Sequence, residues 1–284
     1  MIILNNYQIQ SDFDKPILVD LFYEQTGTQK PLVIFVHGYK GYKNWGIFDK
    51  MNQYFVDGGF ALLKFNFSHN GGTPEQPIDF PDLEAFGTNN YTKELSDVQT
   101  VINWISNNTD HHHEIDVNQI YLIGHSRGGG ISTLTAAADS RIKKIVTWAS
   151  VSTLDRSFFH EGPELTKWKE TGVTYIINGR TKQNMPHYIQ FYEDYIQNQA
   201  KLNIKSAAKK INVPHLIIHG DGDVAVPFFH AENLHSWNSN SKLVNILNAN
   251  HVFGGKQPWT EEKLPDDFLN VLNETLDFLL RVSP

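Results

Sequence analysis

The sequence predicts an α/β architecture: a doubly wound, mostly parallel sheet with helices on both faces and a helical cap inserted late in the chain. Three observations predict it. Short apolar, β-branched runs without polar alternation recur at Pro31–Val36, Phe60–Phe65, Ile120–Ile123, Ile145–Trp148, His215–Ile218 and Lys242–Ile246, as strands buried on both faces require. Segments with helical spacing lie between these runs, which is how parallel strands are connected. The alternation then breaks from about Asp155 to Lys210.

Taken in order, Tyr7–Gln10 and Pro16–Tyr23 read as extended strands preceding the parallel set. Phe48–Val56 reads as a first helix. In Tyr91–Ile105 the residues Leu95, Val98, Val101, Ile102 and Ile105 fall on one helical stripe, with Asp97 and Asn103 on the other side. Ser126–Ala138 is a helix of small residues, suited to close packing on a sheet. Pro265–Leu280 sets Phe268, Leu269, Leu272, Leu276 and Leu279 on one stripe. The interruption mixes charges with Phe158, Phe159, Trp168, Tyr188, Phe191, Tyr192 and Tyr195, and shows helical stretches but no buried parallel strand until Pro214. It is expected to cap the sheet, as an insertion at 155–210 within a single domain spanning 1–284.

Composition excludes several classes of function. Hydrophobic residues make up 40% and charged residues 19% of the 284, which suits a folded protein. The formal net charge of −7 argues against tracking a phosphate backbone, so no nucleic-acid partner is expected. The absence of cysteine excludes disulfides, thiolate nucleophiles and cysteine-ligated metals. The opening Met1–Asn6 has too short an apolar run for a signal peptide, and no window approaches a membrane span; a cytoplasmic protein is expected. The run His111-His112-His113-Glu114 reads as a solvated loop rather than a metal site, because adjacent side chains point in different directions. No metal or organic cofactor motif is recognised. Oligomeric state is not readable from the sequence.

The strongest chemical signal is Gly124-His125-Ser126-Arg127-Gly128, placed after a buried strand and before a helix. That context turns a bare G-x-S-x-G into a nucleophile elbow. The serine sits on a tight, strained turn, and glycine two residues either side removes side chains that would clash. A serine hydroxyl is a poor nucleophile near neutral pH and needs a base, itself oriented by an acid. Two acids compete in His219-Gly220-Asp221-Gly222-Asp223, at the carboxyl edge of a strand. Asp223 fits the pattern H-G-x-x-D-x-x-V-P, whereas Asp221 is the better candidate for bracing the turn. Among thirteen histidines, His251 stands out because it follows the last strand in a small-residue loop. The order Ser126, Asp223, His251 is the one such elbows require. Oxyanion donors are expected from the backbone N–H groups of Arg127 and Tyr39, the latter in His37-Gly38-Tyr39-Lys40-Gly41.

These pieces resemble the α/β-hydrolase superfamily over most of the chain, together with the loop Phe65-Asn66-Phe67-Ser68-His69-Asn70-Gly71. Within it the chain is similar to the serine aminopeptidase and dienelactone-hydrolase-like branch, which includes bacterial carboxylesterases and cinnamoyl or feruloyl esterases. The resemblance implies a carboxylesterase with a small-molecule ester substrate, no cofactor and an acyl-enzyme on Ser126. A peptidase or thioesterase with the same three residues, and a non-catalytic binding protein on the same fold, stand as alternatives. Candidate substrate contacts are Trp45, His69, Arg180 and Tyr188, with Lys182 and Arg156 as further basic residues near a substrate carboxylate.

Overall fold

The structure is a computed structural model that describes residues 2–156 and 159–281; Phe158, assigned above to the cap, lies outside them. The strands are β1 (Ile2–Ile9), β2 (Ile17–Phe22), β3 (Lys30–Val36), β4 (Ala61–Asn66), β5 (Ile115–His125), β6 (Ile142–Trp148), β7 (Val173–Ile177), β8 (Asn184–Tyr188), β9 (His215–Gly220) and β10 (Ser241–Ile246). All but β7 and β8 join one eight-stranded sheet in the order β1-β2-β4-β3-β5-β6-β9-β10. The first two strands pair antiparallel, and β2 runs antiparallel to β4. Every pairing from β4 to β10 is parallel. The helices are α1 (Asn52–Asp57), α2 (Leu83–Thr88), α3 (Tyr91–Asn107), α4 (Arg127–Ala138), α5 (Pro163–Thr171), α6 (Gln190–Gln197), α7 (Ile204–Ala208), α8 (Phe229–Trp237) and α9 (Asp266–Leu280). No helix among the described residues is long and apolar enough to cross a membrane.

Strand residues alternate between two buried faces. Leu32, Ile34, Leu63, Leu122 and Ile217 join one core, with α3 (Val98, Ile102), α4 (Ile131) and α8 (Leu234). Val33, Phe35, Leu62, Ile123, Val146 and Ile218 join the other, with α1 (Phe55) and α9 (Phe268, Leu272). Both alternate positions are apolar because both faces are covered, which is why the sheet reads as continuous hydrophobic runs. A 3₁₀ turn at Gly46–Asp49 and α1 replace the single helix expected over Phe48–Val56. Two short turns bring Ile47, Phe48, Met51 and Phe55 onto the same core while Asp49 and Lys50 stay exposed.

Between β6 and β9 the chain leaves the main sheet. It carries α5, α6 and α7, as the helical reading anticipates, but also an antiparallel hairpin of β7 and β8. β7 alternates between half-buried and exposed residues toward its end, so it lacks the buried apolar run that marks the sheet strands.

Asp97 departs from its expected solvent-facing place on α3. It is 1% exposed, and its Oδ2 accepts bonds from the Ser68 N–H at 2.7 Å and the Ser68 hydroxyl at 2.8 Å. It thereby anchors the loop after β4. Burial outweighs those bonds and raises its pKa from 3.8 to about 7. The folded chain therefore holds a proton that the unfolded chain releases above the lower value. Stability contributed by the protonated form is complete in acid and is lost as pH rises through about 7. Asp97→Asn, which mimics the protonated carboxyl, is expected to remove that loss. The urea midpoint of the variant minus that of the parent should increase between about pH 5 and about pH 8; a constant difference would contradict it.

Candidate active site

β5 delivers the chain into a turn from which α4 departs, and Ser126 sits at the junction with φ 57° and ψ −121°. This is a strained conformation for a residue with a side chain. It is held by the Ser126 N–H, which donates to Trp148 O of β6 at 2.9 Å. Gly124 and Gly128 make the turn possible by close approach. A Cβ on Gly124 would lie 2.5 Å from the Ser132 hydroxyl oxygen, and one on Gly128 would lie 2.5 Å from His37 O. Neither distance occurs for real Cβ atoms.

The structure brings Ser126, His251 and Asp223 together. Ser126 Oγ lies 3.0 Å from His251 Nε2, and His251 Nδ1 lies 2.7 Å from Asp223 Oδ2. Asp223 comes from the loop after β9 and His251 from the loop after β10, so three distant segments meet at the carboxyl edge of the sheet. Asp223 is buried, and its Oδ1 accepts from the Ala225 and Val226 N–H groups, each at 2.8 Å. Burial would raise its pKa, but the His219 and His251 contacts and the Val226 N–H together hold the carboxyl well below its ordinary range. An ionised Asp223 requires the proton on His251 Nδ1, which leaves the Nε2 lone pair facing the Ser126 hydroxyl. Asp221 takes the bracing role foreseen for it: its carboxylate accepts from the Asn248 N–H at 2.5 Å and from Asn245 Nδ2 at 3.0 Å.

Two histidines brace this arrangement without touching the serine hydroxyl. His125 Nε2 donates to His251 O at 2.9 Å, and burial pushes its pKa down to about 3. His37 Nδ1 donates to Gly38 O at 2.9 Å, and burial pushes it down to about 4. Both rings are therefore neutral near neutral pH. A Cβ on Gly38 would lie 2.9 Å from Ser126 Cβ, so the loop after β3 passes directly over the serine. Tyr39 follows on that loop. Its ring meets the Arg127 guanidinium at 4.2 Å, and its hydroxyl meets His187 Nε2 of β8 at 2.9 Å. Arg127 is itself buried, paired with Glu94 of α3 at 3.2 Å, and also faces Tyr91 and Phe191. The glycine pattern that marks the elbow carries no trace of this cluster, because a lone arginine or glutamate on a helix ordinarily reads as solvated.

A cavity of about 220 Å³ opens beside Ser126 and His251, lined also by Tyr39, Lys40, Tyr42, Trp45, Phe48, Asn178, Arg180 and Val252. Of the substrate contacts expected from the sequence, Trp45 and Arg180 lie on this wall, and Arg180 also pairs with Asp79. His69 does not line the cavity. It is buried elsewhere, between Ser68 Oγ at 2.8 Å and Asp14 at 3.2 Å. Tyr188 does not line it either. Its hydroxyl donates to Glu84 at 2.5 Å and its ring lies over Gly87 of α2. Lys182 donates to Gly179 O, and Arg156 Nε donates to the Tyr91 hydroxyl. In the histidine run, His111 meets the Tyr23 hydroxyl at 3.0 Å and His112 faces Ile105 O at 3.3 Å, while Glu114 pairs with Lys30. His111 and Glu114 are buried, so the run is not the solvated loop its composition suggested, and its residues serve different contacts. Sequence reasoning gave no role to the side chains of Lys40, Tyr42, Phe48, Asn178 and Val252, although Lys40 lies within the quoted loop after β3.

Fold and site together define an α/β hydrolase. The chain belongs to the BD-FAE family, whose model matches residues 19–238. It is 28% identical over 165 residues to the human serine hydrolase BPHL, a match covering 53% of this chain and 55% of that protein. The chain spans between 38% and 56% of the length of the curated relatives it matches. Its fold is shared with Est1E from Butyrivibrio proteoclasticus, at a TM-score of 0.69 and 17% identity over 96% of this chain and 97% of that one. Est1E has also been solved with ferulic acid bound. A putative dienelactone hydrolase from Klebsiella pneumoniae gives a TM-score of 0.64 and 16% identity, covering 99% of this chain and all of that one (100%).

Proposed function

We propose that this chain is a serine hydrolase that cleaves carboxylic esters through an acyl-enzyme on Ser126. The observation that carries the reading is the continuous hydrogen-bonded chain from Ser126 Oγ through His251 to Asp223 at a cavity edge. His251 Nε2 takes the serine proton as Oγ attacks the acyl carbon. The N–H groups of Tyr39 and Arg127 hold the oxyanion. Collapse breaks the ester bond, and His251 returns the proton to the departing alcohol. Water then attacks the acyl-enzyme by the same route and releases the acid. Asp223 keeps the imidazole in the required tautomer and stabilises its charged form. In this reading residues 155–210 form a cap within one domain, since Asn178 and Arg180 of that stretch line the cavity.

The cavity, at about 220 Å³, lies below the range of about 300–1,000 Å³ that drug-sized ligands occupy. It suits a short acyl chain or one aromatic ring, and Trp45, Tyr42 and Phe48 supply apolar walls. Est1E's complex with ferulic acid supports the aryl option. A panel of p-nitrophenyl and aryl esters, acyl-thioesters and aminoacyl amides tests the reading. Turnover is expected to be fastest on short-acyl or single-ring esters, and a fluorophosphonate is expected to label Ser126. Folded protein that takes no label would overturn the proposal, and preference for thioesters or amides would reassign the substrate.

A further inference from the structure

Among the described residues no acidic side chain lines the cavity beside Ser126, whereas two cations, Lys40 and Arg180, do. The chain as a whole has the opposite balance, with 31 acidic against 24 basic residues. Arg180 reaches the wall from the stretch between β7 and β8 and is fixed by Asp79, which also accepts from the Tyr42 hydroxyl at 3.1 Å.

Lys40 is different. It follows Tyr39 on the loop over the serine and is half-buried. Its ammonium stands 5.2 Å from the Tyr39 ring centroid, and no ion pair involves it among the described residues. Among the cations the fold buries, Lys30 meets Glu114, Lys43 meets Asp20 and Arg127 meets Glu94, while Lys64 and Lys144 donate to backbone carbonyl oxygens of Phe48 and Leu279. Lys40 instead faces a second cation. Burial, and then repulsion from Arg127, hold its pKa below the ordinary lysine value. Its backbone φ is +53°, a left-handed conformation that lysine seldom adopts. Strained backbone, partial desolvation and like-charge repulsion all oppose a lysine at this position. The Tyr39 ring offsets them only in part, and no carboxylate among the described residues pairs with the ammonium; a bound anion would offset two of the three.

We propose that Lys40, with Arg180 on the wall of the same cavity, forms an anion subsite, and that the ester it takes carries a carboxylate on the part seated there. The inference rests on the ester-cleaving reading above and names its substrate class. The aromatic walls take the body of the substrate. The unpaired ammonium takes its carboxylate, and attack by Ser126 proceeds as already described.

The test compares esters of equal size that differ only in charge. 4-Acetoxybenzoate against 4-acetoxybenzamide places the anion on the leaving group. Monomethyl terephthalate against its carboxamide counterpart places it on the acyl group. Both are rigid, so the carboxylate cannot attack its own ester. In one of the two pairs the carboxylate is expected to have the higher kcat/KM by about tenfold or more, carried mainly by KM, as one charge-assisted contact out of bulk water can supply. Rising salt should narrow that ratio. Lys40→Gln should bring it close to one, and Lys40→Arg should retain most of it. Fluorophosphonate labelling of Ser126 in each variant reports that it is folded. Absence of a carboxylate preference in both pairs, or a preference that survives Lys40→Gln, overturns the subsite. Such a result leaves the ester reading standing as long as the neutral esters are cleaved and Ser126 is labelled. Failure of the protein to cleave any ester, or to label, would instead remove the underlying reading.

Discussion

Ser126→Ala is expected to lower kcat/KM on the best ester by about 10⁴-fold or more while leaving the fold intact. Alanine tolerates the positive φ of the elbow no better and no worse than serine, since both carry a Cβ. The backbone bond from position 126 to Trp148 O is retained. What is lost is one hydroxyl and its bond to His251 at 3.0 Å, which changes stability by about 1 kcal/mol at most. Whatever activity persists in the variant should come from the oxyanion donors and substrate positioning alone. Initial rates across the ester panel, beside a thermal melt, measure both halves. Near-parent turnover on every ester cleaved would remove Ser126 from the chemistry.

Asp223→Asn is expected to cost about as much, roughly 10⁴ in kcat, for a reason that leaves packing almost untouched. Two N–H groups, from Ala225 and Val226, already donate to Oδ1. That atom must remain an oxygen, so the new amide nitrogen must occupy the Oδ2 position. There it faces His251 Nδ1 at 2.7 Å and donates a proton where one was accepted. The imidazole then carries its own proton on Nε2, pointing at a serine it can no longer deprotonate. The amide also loses the negative charge that would stabilise the imidazolium. Rates near neutral pH should fall and recover partly at high pH, where hydroxide competes as base. Loss confined to KM would show that Asp223 shapes the cavity and not the base.

The parts legible in the sequence are those where covalent geometry leaves no latitude. The elbow needs glycine at 124 and 128, because neighbouring backbone and side-chain atoms occupy the space of a Cβ. The central stretches of the inner sheet strands are mostly apolar on both alternate positions because both faces are covered. The hairpin of β7 and β8 obeys neither rule. It stands apart from the main sheet and leaves Tyr175 and Ile177 exposed, so no periodic signal marks it. Asp97 was invisible for the converse reason. A carboxylate on an amphipathic helix suggests solvent, and only its bonds from Ser68 reveal burial. His69 and Tyr188 were drawn toward the site by their place in the chain. The structure assigns His69 to Asp14 and Ser68, and Tyr188 to Glu84.

The contact from His187 through Tyr39 to Arg127 and Glu94 ties the excursion after β6 to both backbone positions assigned to the oxyanion. In the proposed reaction, the region that chooses among substrates is therefore riveted to the region that governs speed. Exchanging this excursion for that of a relative, without carrying Tyr39 and Arg127 along, would transplant selectivity and slow the catalyst together. Related chains that diversify this segment must keep that rivet or rebuild it.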